Sequence, residues 1–461
     1  MRILLSFFIL FVLVAAAFGQ GHDLSALKGD EAGRRVIAYF DAYNAGEDVL
    51  KTFFTENINP DALKQRPVEP RLAFHKQVRA DHGKIELVSV VSITPDEIKV
   101  LARAAGGEMI GYDFNISPDK KIAAMGIGPA EEVSAPPAVA APKTVVELPS
   151  AVEKLFDGLS ADHRFSGVVL VAKDGTPIVS KAYGLSDMSK NVPNRVDTRF
   201  NLGSINKMFT RISIGQLVKA GKLSFSDKLI KVLPDYPNKE IANKITIGQI
   251  VTMTSGLGDF FGDSFFTSDH SKIRSLKDFL PFFVDKPLEF EPGTKNRYSN
   301  AGYLVLGLVI EKLSGQNYYD YVRENVFKPA GMSDTDSFEI DKLPANTAIG
   351  YMTKGGGTPT PNSKAQPARG SSAGGGYSTA PDMLKFAAAL KSGKLVIPND
   401  DGTFPTEFTG AGFAGGSEGV NSIFLTNAKT GYTVIVLSNF DPPSAEQPGT
   451  QVRDWIKQIT Q

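Results

Sequence analysis

Gly167-Val168-Val169-Leu170-Val171-Ala172, the dipeptide Asp174-Gly175 and the run 177–183 decide how the larger part of this chain folds. Apolar, β-branched stretches on either side of Asp-Gly read as a hairpin, because those two residues tolerate the left-handed backbone of a two-residue turn. Far downstream, 421–427 and 432–439 read as two more strands, followed by a helix from about 444 to 459. Helical and loop patterns fill the stretch between. Strands from both ends of a domain with helices between them imply an antiparallel sheet whose first and last strands are neighbours, flanked by helices on both faces. The expected class is α+β.

Working upstream, residues 129–149 contain Ala135-Pro136-Pro137 and Ala141-Pro142 and read as an extended linker. Before it, Val36, Phe40 and Tyr43 share one helix face, and Leu50, Phe53, Phe54, Leu72 and Phe74 continue the helical pattern. Strand patterns follow at 85–93, 97–103, 108–117 and 122–127, broken by turn signals at Thr94-Pro95-Asp96, Gly106-Gly107 and Ser117-Pro118-Asp119. Helices first and a meander after predict a small α+β domain over 21–128, an order similar to NTF2-like (SnoaL-type) domains. His75 and His82 lie seven apart on one helix face. With Lys76, Arg79 and Asp81 around them they read as a solvated or helix-capping pair rather than a pocket lining. Residues 1–20 hold Arg2, an apolar run over 3–18 and small residues at Ala17 and Gly19, the layout of a cleaved secretory signal. The expected location is periplasmic or secreted, with no membrane span after cleavage.

Composition narrows the function. At 461 residues the chain is long enough for two to three folding units. Its 50 basic and 50 acidic side chains cancel, so no long-range field draws it to nucleic acid, and a small neutral or peptide-like substrate suits it better. The absence of cysteine removes disulfides, thiol nucleophiles and thiolate metal sites. None of the five histidines shows a metal-ligand spacing, so neither metal nor cofactor is expected. The composition does not speak to oligomeric state.

The chemistry starts at Ser204-Ile205-Asn206-Lys207, which opens a helix with Met208, Ile212 and Leu217 on its apolar side. A serine in a first helical turn sits among free backbone N–H groups that favour developing negative charge, and a lysine three residues on shares its face. The four-letter pattern alone is weak, since Ser25 with Lys28 and Ser117 with Lys120 also satisfy it. A second element, Tyr298-Ser299-Asn300, precedes a helix over 301–313. Its phenol can relay the serine proton, and its amide can hold both the lysine and a substrate carbonyl. Tyr236-Pro237-Asn238 repeats that spacing by chance.

These elements occur in order with Ile245-Thr246-Ile247, Thr252-Met253-Thr254-Ser255-Gly256-Leu257, Gly302-Tyr303-Leu304-Val305-Leu306-Gly307 and Ala373-Gly374-Gly375-Gly376-Tyr377-Ser378-Thr379. Together they resemble the serine β-lactamase and penicillin-binding-protein family, in particular class C β-lactamases, D-aminopeptidases and related esterases. The likeness covers about 151–440, within a β-lactamase-like domain expected over 150–461. It implies acyl transfer through a serine ester, with Ser204 attacking, Lys207 and Tyr298 moving protons and Asn300 positioning them.

The family's third element, a K-T-G or H-x-G on the strand beside the nucleophile, is matched by Phe413-Ala414-Gly415-Gly416. Phe413 stands where the family has a cation or imidazole, so binding of a substrate carboxylate is not expected. Gly415 and Gly416 keep the backbone, and the resemblance implies an oxyanion hole from the N–H groups of Ser204 and Gly416. A literal Lys429-Thr430-Gly431 falls between two strands and reads as their turn. Met253 stands where relatives often have histidine and reads as core packing. The expected function is an exported serine hydrolase of esters or small amides with weak or absent β-lactamase activity. The alternative is a catalytically weak or inactive cell-envelope binding protein that keeps the same fold.

Overall fold

A computed structural model describes residues 24–65, 67–94, 96–107, 109–129, 139–353 and 358–460. The expected signal at 1–20, and the part of the expected linker over 130–138, lie outside these residues. The chain divides into two compact units between residues 138 and 139.

The first unit begins with α1 (Ser25–Lys28), α2 (Glu31–Ala45), α3 (Glu47–Asn57), α4 (Pro60–Gln65) and α5 (Val68–His82). Asp30 caps α2 by accepting from the Gly33 N–H at 3.2 Å. An antiparallel meander follows in the order β1 (Ile85–Ile93), β2 (Glu97–Ala104), β3 (Met109–Ile116), β4 (Ile122–Pro129). Alternate residues of β2, namely Ile98, Val100, Ala102 and Ala104, meet Val36, Phe40 and Tyr43 of α2 in one core.

His75 corrects the expectation of a solvated or capping pair. It is 4% exposed, its Nδ1 lies 2.7 Å from the Arg71 carbonyl, and its ring meets Tyr39 and Phe54 edge-on. Leu72 and Val78, one turn either side, belong to the same buried stripe, which the charged residues at 76, 79 and 81 obscure in the sequence. His82, two turns on, is only half-buried at the end of the helix.

The segment expected as linker also ends differently. Val139 packs on the core of the second unit, and α6 (Leu148–Ala161) opens at a fully buried Leu148. Pro149 is a first-turn proline, where its missing N–H costs nothing, so the proline that reads as linker starts a helix.

The second unit is built on a five-stranded antiparallel sheet. Its members are β5 (Gly167–Lys173), β6 (Thr176–Tyr183), β7 (Gly410–Ser417), β8 (Val420–Asn427) and β9 (Tyr432–Ser438), in the spatial order β7-β8-β9-β5-β6. The first and last long strands do pair, Val434 opposite Val171, as expected from strands at both ends of the domain. Asp174 (φ +50°) and Gly175 (φ +81°) form the predicted tight turn. On β5, Val168, Leu170 and Ala172 face one core while Val169 and Val171 face the other. Both sides are covered, so the strand reads as a continuous apolar run. One side carries α6 and α10 (Glu446–Thr460); the other carries α7 (Asn206–Lys219), α8 (Asn300–Ser314) and α9 (Ala380–Lys391).

Strand β7 has no strand signature. Four of its eight residues, Gly410-Ala411-Gly412-Phe413-Ala414-Gly415-Gly416-Ser417, are glycine, a residue depleted in strands, and only pairing with β8 defines it. The Lys429-Thr430-Gly431 triplet is the turn between β8 and β9, with the Thr430 N–H donating to Asn427 Oδ1 at 2.9 Å.

Candidate active site

Ser204 lies in a single 3-10 turn, Gly203–Ile205, that runs directly into α7. Gly203 takes φ +52°, and its N–H donates to Asn201 Oδ1 at 2.9 Å. The turn is clamped from outside: the Leu202 N–H donates to the Gly376 carbonyl at 2.7 Å and Ser422 Oγ donates to the Leu202 carbonyl at 2.7 Å. Ser204 is half-exposed on an otherwise buried helix start. Reach from solvent and rigidity from below therefore coexist at the same residue.

Lys207, three residues on in the first turn of α7, is 4% exposed. Its Nζ lies 2.7 Å from Asn300 Oδ1, 2.6 Å from the Ala373 carbonyl and 3.1 Å from Ser204 Oγ. The Tyr298 ring is 4.5 Å from the same nitrogen, and the Tyr298 hydroxyl donates to Ser204 Oγ. A phenol 94 residues away in sequence and an amine three residues away thus converge on one oxygen. Burial pulls the Lys207 ammonium down to about 7, against the opposing pull of the Asp259 carboxylate. Burial likewise pushes the Tyr298 phenol up, while its bond to Ser204 pulls the other way. Near neutral pH the amine is therefore able to accept a proton, and the phenol holds one to donate.

The tetrahedral nitrogen explains the direction of that acceptance. Neutral Lys207 has two N–H bonds and one lone pair, and two of its three neighbours, Asn300 Oδ1 and the Ala373 carbonyl, can only accept. The lone pair is left facing the Ser204 hydroxyl.

β7 passes alongside. A Cβ on Gly415 would stand 2.1 Å from the Leu202 carbonyl oxygen and 2.7 Å from Ser204 N, and one on Gly203 would stand 2.9 Å from Gly416 N. Only glycines allow the strand this close, and the approach makes neighbours of Ser204 and Gly416. Phe413 sits opposite Phe424 and packs on the core that holds α7, on the same strand face as Gly415. An apolar ring fills the place where the resemblance expects a cation.

Sequence reasoning missed Asp259. It follows the Thr252-to-Leu257 block by two residues and accepts from Asn300 Nδ2 at 2.7 Å. Its only signal is an acidic residue next to Gly258 in a loop, which nothing ties to Asn300 in one dimension. Met253 packs partly on the core as expected, with φ +59°. The decoys separate cleanly: Ser117 bonds to the Lys121 carbonyl within a turn, and Asn238 caps a short helix through the Ile241 N–H. His270, one of two histidines in this unit, has Nε2 2.9 Å from the Phe265 carbonyl. Among the described residues no group of three or more histidine, aspartate or glutamate side chains is placed to hold a metal ion.

A family model described as Beta-lactamase matches residues 152–455, which takes in every residue of this cluster. The chain belongs to the beta-lactamase family. Within it, the chain is 34% identical over 206 residues to a penicillin-binding protein of Bacillus subtilis, an alignment covering 44% of this chain and 45% of that protein. The chain thus spans less than half the length of that relative. The crystal structure of a penicillin-binding protein from Bacillus halodurans is similar at 31% identity and TM-score 0.57, over 64% of this chain and 97% of that one. A D-amino acid amidase from Ochrobactrum anthropi shares the fold at 22% identity and TM-score 0.54, over 68% of this chain and 99% of that one. Beta-lactamase family membership accounts for the second unit, and the matched segment starts beyond the first.

Proposed function

We propose that this chain is a serine hydrolase that forms an acyl-enzyme on Ser204 from esters, or from small amides and peptides. One observation carries the reading: a buried, depressed amine and a proton-bearing phenol both address the Ser204 hydroxyl. Lys207 Nζ takes the hydroxyl proton as Oγ bonds to the substrate carbonyl carbon. The resulting oxyanion faces the N–H groups of Ser204 and Gly416, which contribute about 3 kcal/mol. Collapse breaks the bond to the leaving group, which receives its proton from the Tyr298 hydroxyl as Lys207 re-protonates the phenol. Water then attacks the ester carbon, its proton passes to the same pair, and Ser204 leaves with a hydrogen restored.

Substrate preference follows from Phe413. With an apolar ring in place of a cation, a substrate carboxylate has no partner there, so neutral acyl groups are favoured and β-lactams are poor substrates. The likeness to penicillin-binding proteins and to a D-amino acid amidase directs the choice of probes, which are acyl esters, D-amino amides and chromogenic β-lactams. We place the protein outside the cytoplasm on the strength of Arg2 and the apolar run after it, and take the first unit as an NTF2-like accessory domain.

The test is a fluorophosphonate followed by intact-mass measurement. A single adduct on Ser204, absent in Ser204→Ala, together with turnover of at least one ester or amide, is expected. A folded protein that never gains mass on Ser204 and binds cell-wall fragments unchanged would establish the second reading, a binding module, which Phe413 favours.

A further inference from the structure

Asp259 lies one step behind the cluster and has no place in the mechanism above. We propose that it is a positioning residue: it fixes which end of the Asn300 amide faces Lys207, and so the direction in which Lys207 presents itself to Ser204. The inference rests on Ser204 as the nucleophile.

Donors and acceptors decide which way the amide lies. The two ends of an asparagine amide have nearly the same shape, and only their partners distinguish them. Lys207 needs an acceptor from Asn300, and finds Oδ1 at 2.7 Å. If the amide turned over, its NH2 would oppose the ammonium donor against donor, or draw the lone pair of the neutral amine away from Ser204. Burial pushes the Asp259 carboxyl above its ordinary range, while the Phe261 N–H, the Asn300 amide and the Lys207 charge pull it back down. Ionised, it can only accept, so Asp259 Oδ2, 2.7 Å from Nδ2, admits the NH2 end and no other.

Asp259 is itself anchored. Its Oδ1 accepts from the Phe261 N–H at 3.1 Å, and its carbonyl accepts from Lys286 Nζ at 3.0 Å. Ser299 Oγ donates to the neighbouring Gly258 carbonyl at 2.8 Å, and the Phe260 ring is buried against Phe265 and Phe279. The lock is therefore attached to α8 and to the core at once.

The charge has a second consequence. The groups facing Lys207 are Asp259 and the Tyr298 and Tyr303 phenols, with the Arg211–Asp400 pair beyond Tyr303. Asp259 is the acidic one at the site, and it holds the ammonium up against burial. Removing the charge while keeping the acceptor lowers the Lys207 titration; removing both also releases the amide.

The experiment uses the full chain carrying Asp259→Asn or Asp259→Leu. Lysine labelled with 13C at Cε, the Lys207 signal assigned through Lys207→Arg, reports the titration without any turnover. The expected result is a Lys207 midpoint roughly one pH unit lower in Asp259→Asn than in the parent. Phosphonylation of Ser204 by a fluorophosphonate is expected to slow about a hundredfold in Asp259→Leu and much less in Asp259→Asn, whose side-chain carbonyl still accepts. In an Asn300→Ala background, Asp259→Leu is expected to add little, because its effect passes through the missing amide. An unmoved Lys207 midpoint, or a full additive penalty in the Asn300→Ala background, overturns the assignment. Should Asp259→Leu fail to fold, the near-isosteric Asp259→Asn titration decides alone. A parent protein that never labels would sink the hydrolase reading, while the titration would still judge Asp259.

Discussion

Lys207 meets two demands that conflict in water: it must be close to a hydroxyl and it must be unprotonated. Burial meets the second at a pH where an exposed lysine would stay charged. The sign follows directly. Because the proposed mechanism has the neutral form take the proton, kcat/KM for a neutral ester is expected to rise with pH through about 7 and then level, and a flat profile from pH 5 to 9 would contradict the assignment. Replacing Lys207 by alanine is expected to lower kcat by ~10²–10⁴-fold, measured on the same ester. Gly415 offers an independent check from the other side of the serine. Gly415→Ala sets a Cβ against the Leu202 carbonyl and Ser204 N, backbone atoms that cannot turn aside. Its kcat is expected to fall by about a hundredfold with little change in KM, since the strand must back away from the oxyanion position.

At the scale of elements, the start of α8 carries more than Tyr298 and Asn300 suggest. Ser299, between Tyr298 and Asn300, accepts from the Gly302 N–H at 2.8 Å and donates to the Gly258 carbonyl at 2.8 Å. It is 2% exposed, so both bonds lie away from water. One hydroxyl thus caps the helix and ties it to the loop that holds Asp259. Ser299→Ala is expected to cost about 1–2 kcal/mol in urea unfolding and to slow phosphonylation of Ser204 as well. A loss of stability with unchanged labelling would mean that the cap alone matters. The neighbouring elements show which sequence signals are dependable. The hairpin β5–β6 and the pair β8–β9 are legible because each pattern is set by nearest neighbours: β-branched runs, an Asp-Gly turn, alternating faces. β7 is not, because glycine is chosen there for clearance from Ser204, and clearance leaves no periodicity.

Across the whole molecule, the residues proposed to react, their supports and two of the three core clusters among the described residues all belong to the unit from Val139 onward. A chain starting at Val139 is therefore expected to fold and to label at Ser204 with a fluorophosphonate at a rate within a few-fold of the full protein. Failure to fold, seen as lost cooperative unfolding, would show that the first unit is needed for stability. The first unit has its own core, in which His75 is packed among Tyr39, Tyr43 and Phe54. Its burial could not be read from a helix whose neighbouring positions are charged, since the rings that cover it come from α2 and α3 and only the fold brings them there.

What the sequence determined by itself is the chemistry on offer and its local setting: a serine at a helix start, a lysine one turn on, a phenol and an amide two residues apart, and strands at both ends of one domain. Those features are fixed by residues within a turn or a hairpin of one another. Tertiary structure alone decided that the phenol and amine reach the same oxygen, that Asp259 stands behind Asn300, and that a glycine-rich strand closes the site. The physical reason is desolvation: a lysine is depressed only when distant segments exclude water from it, and no stretch of sequence carries that information alone.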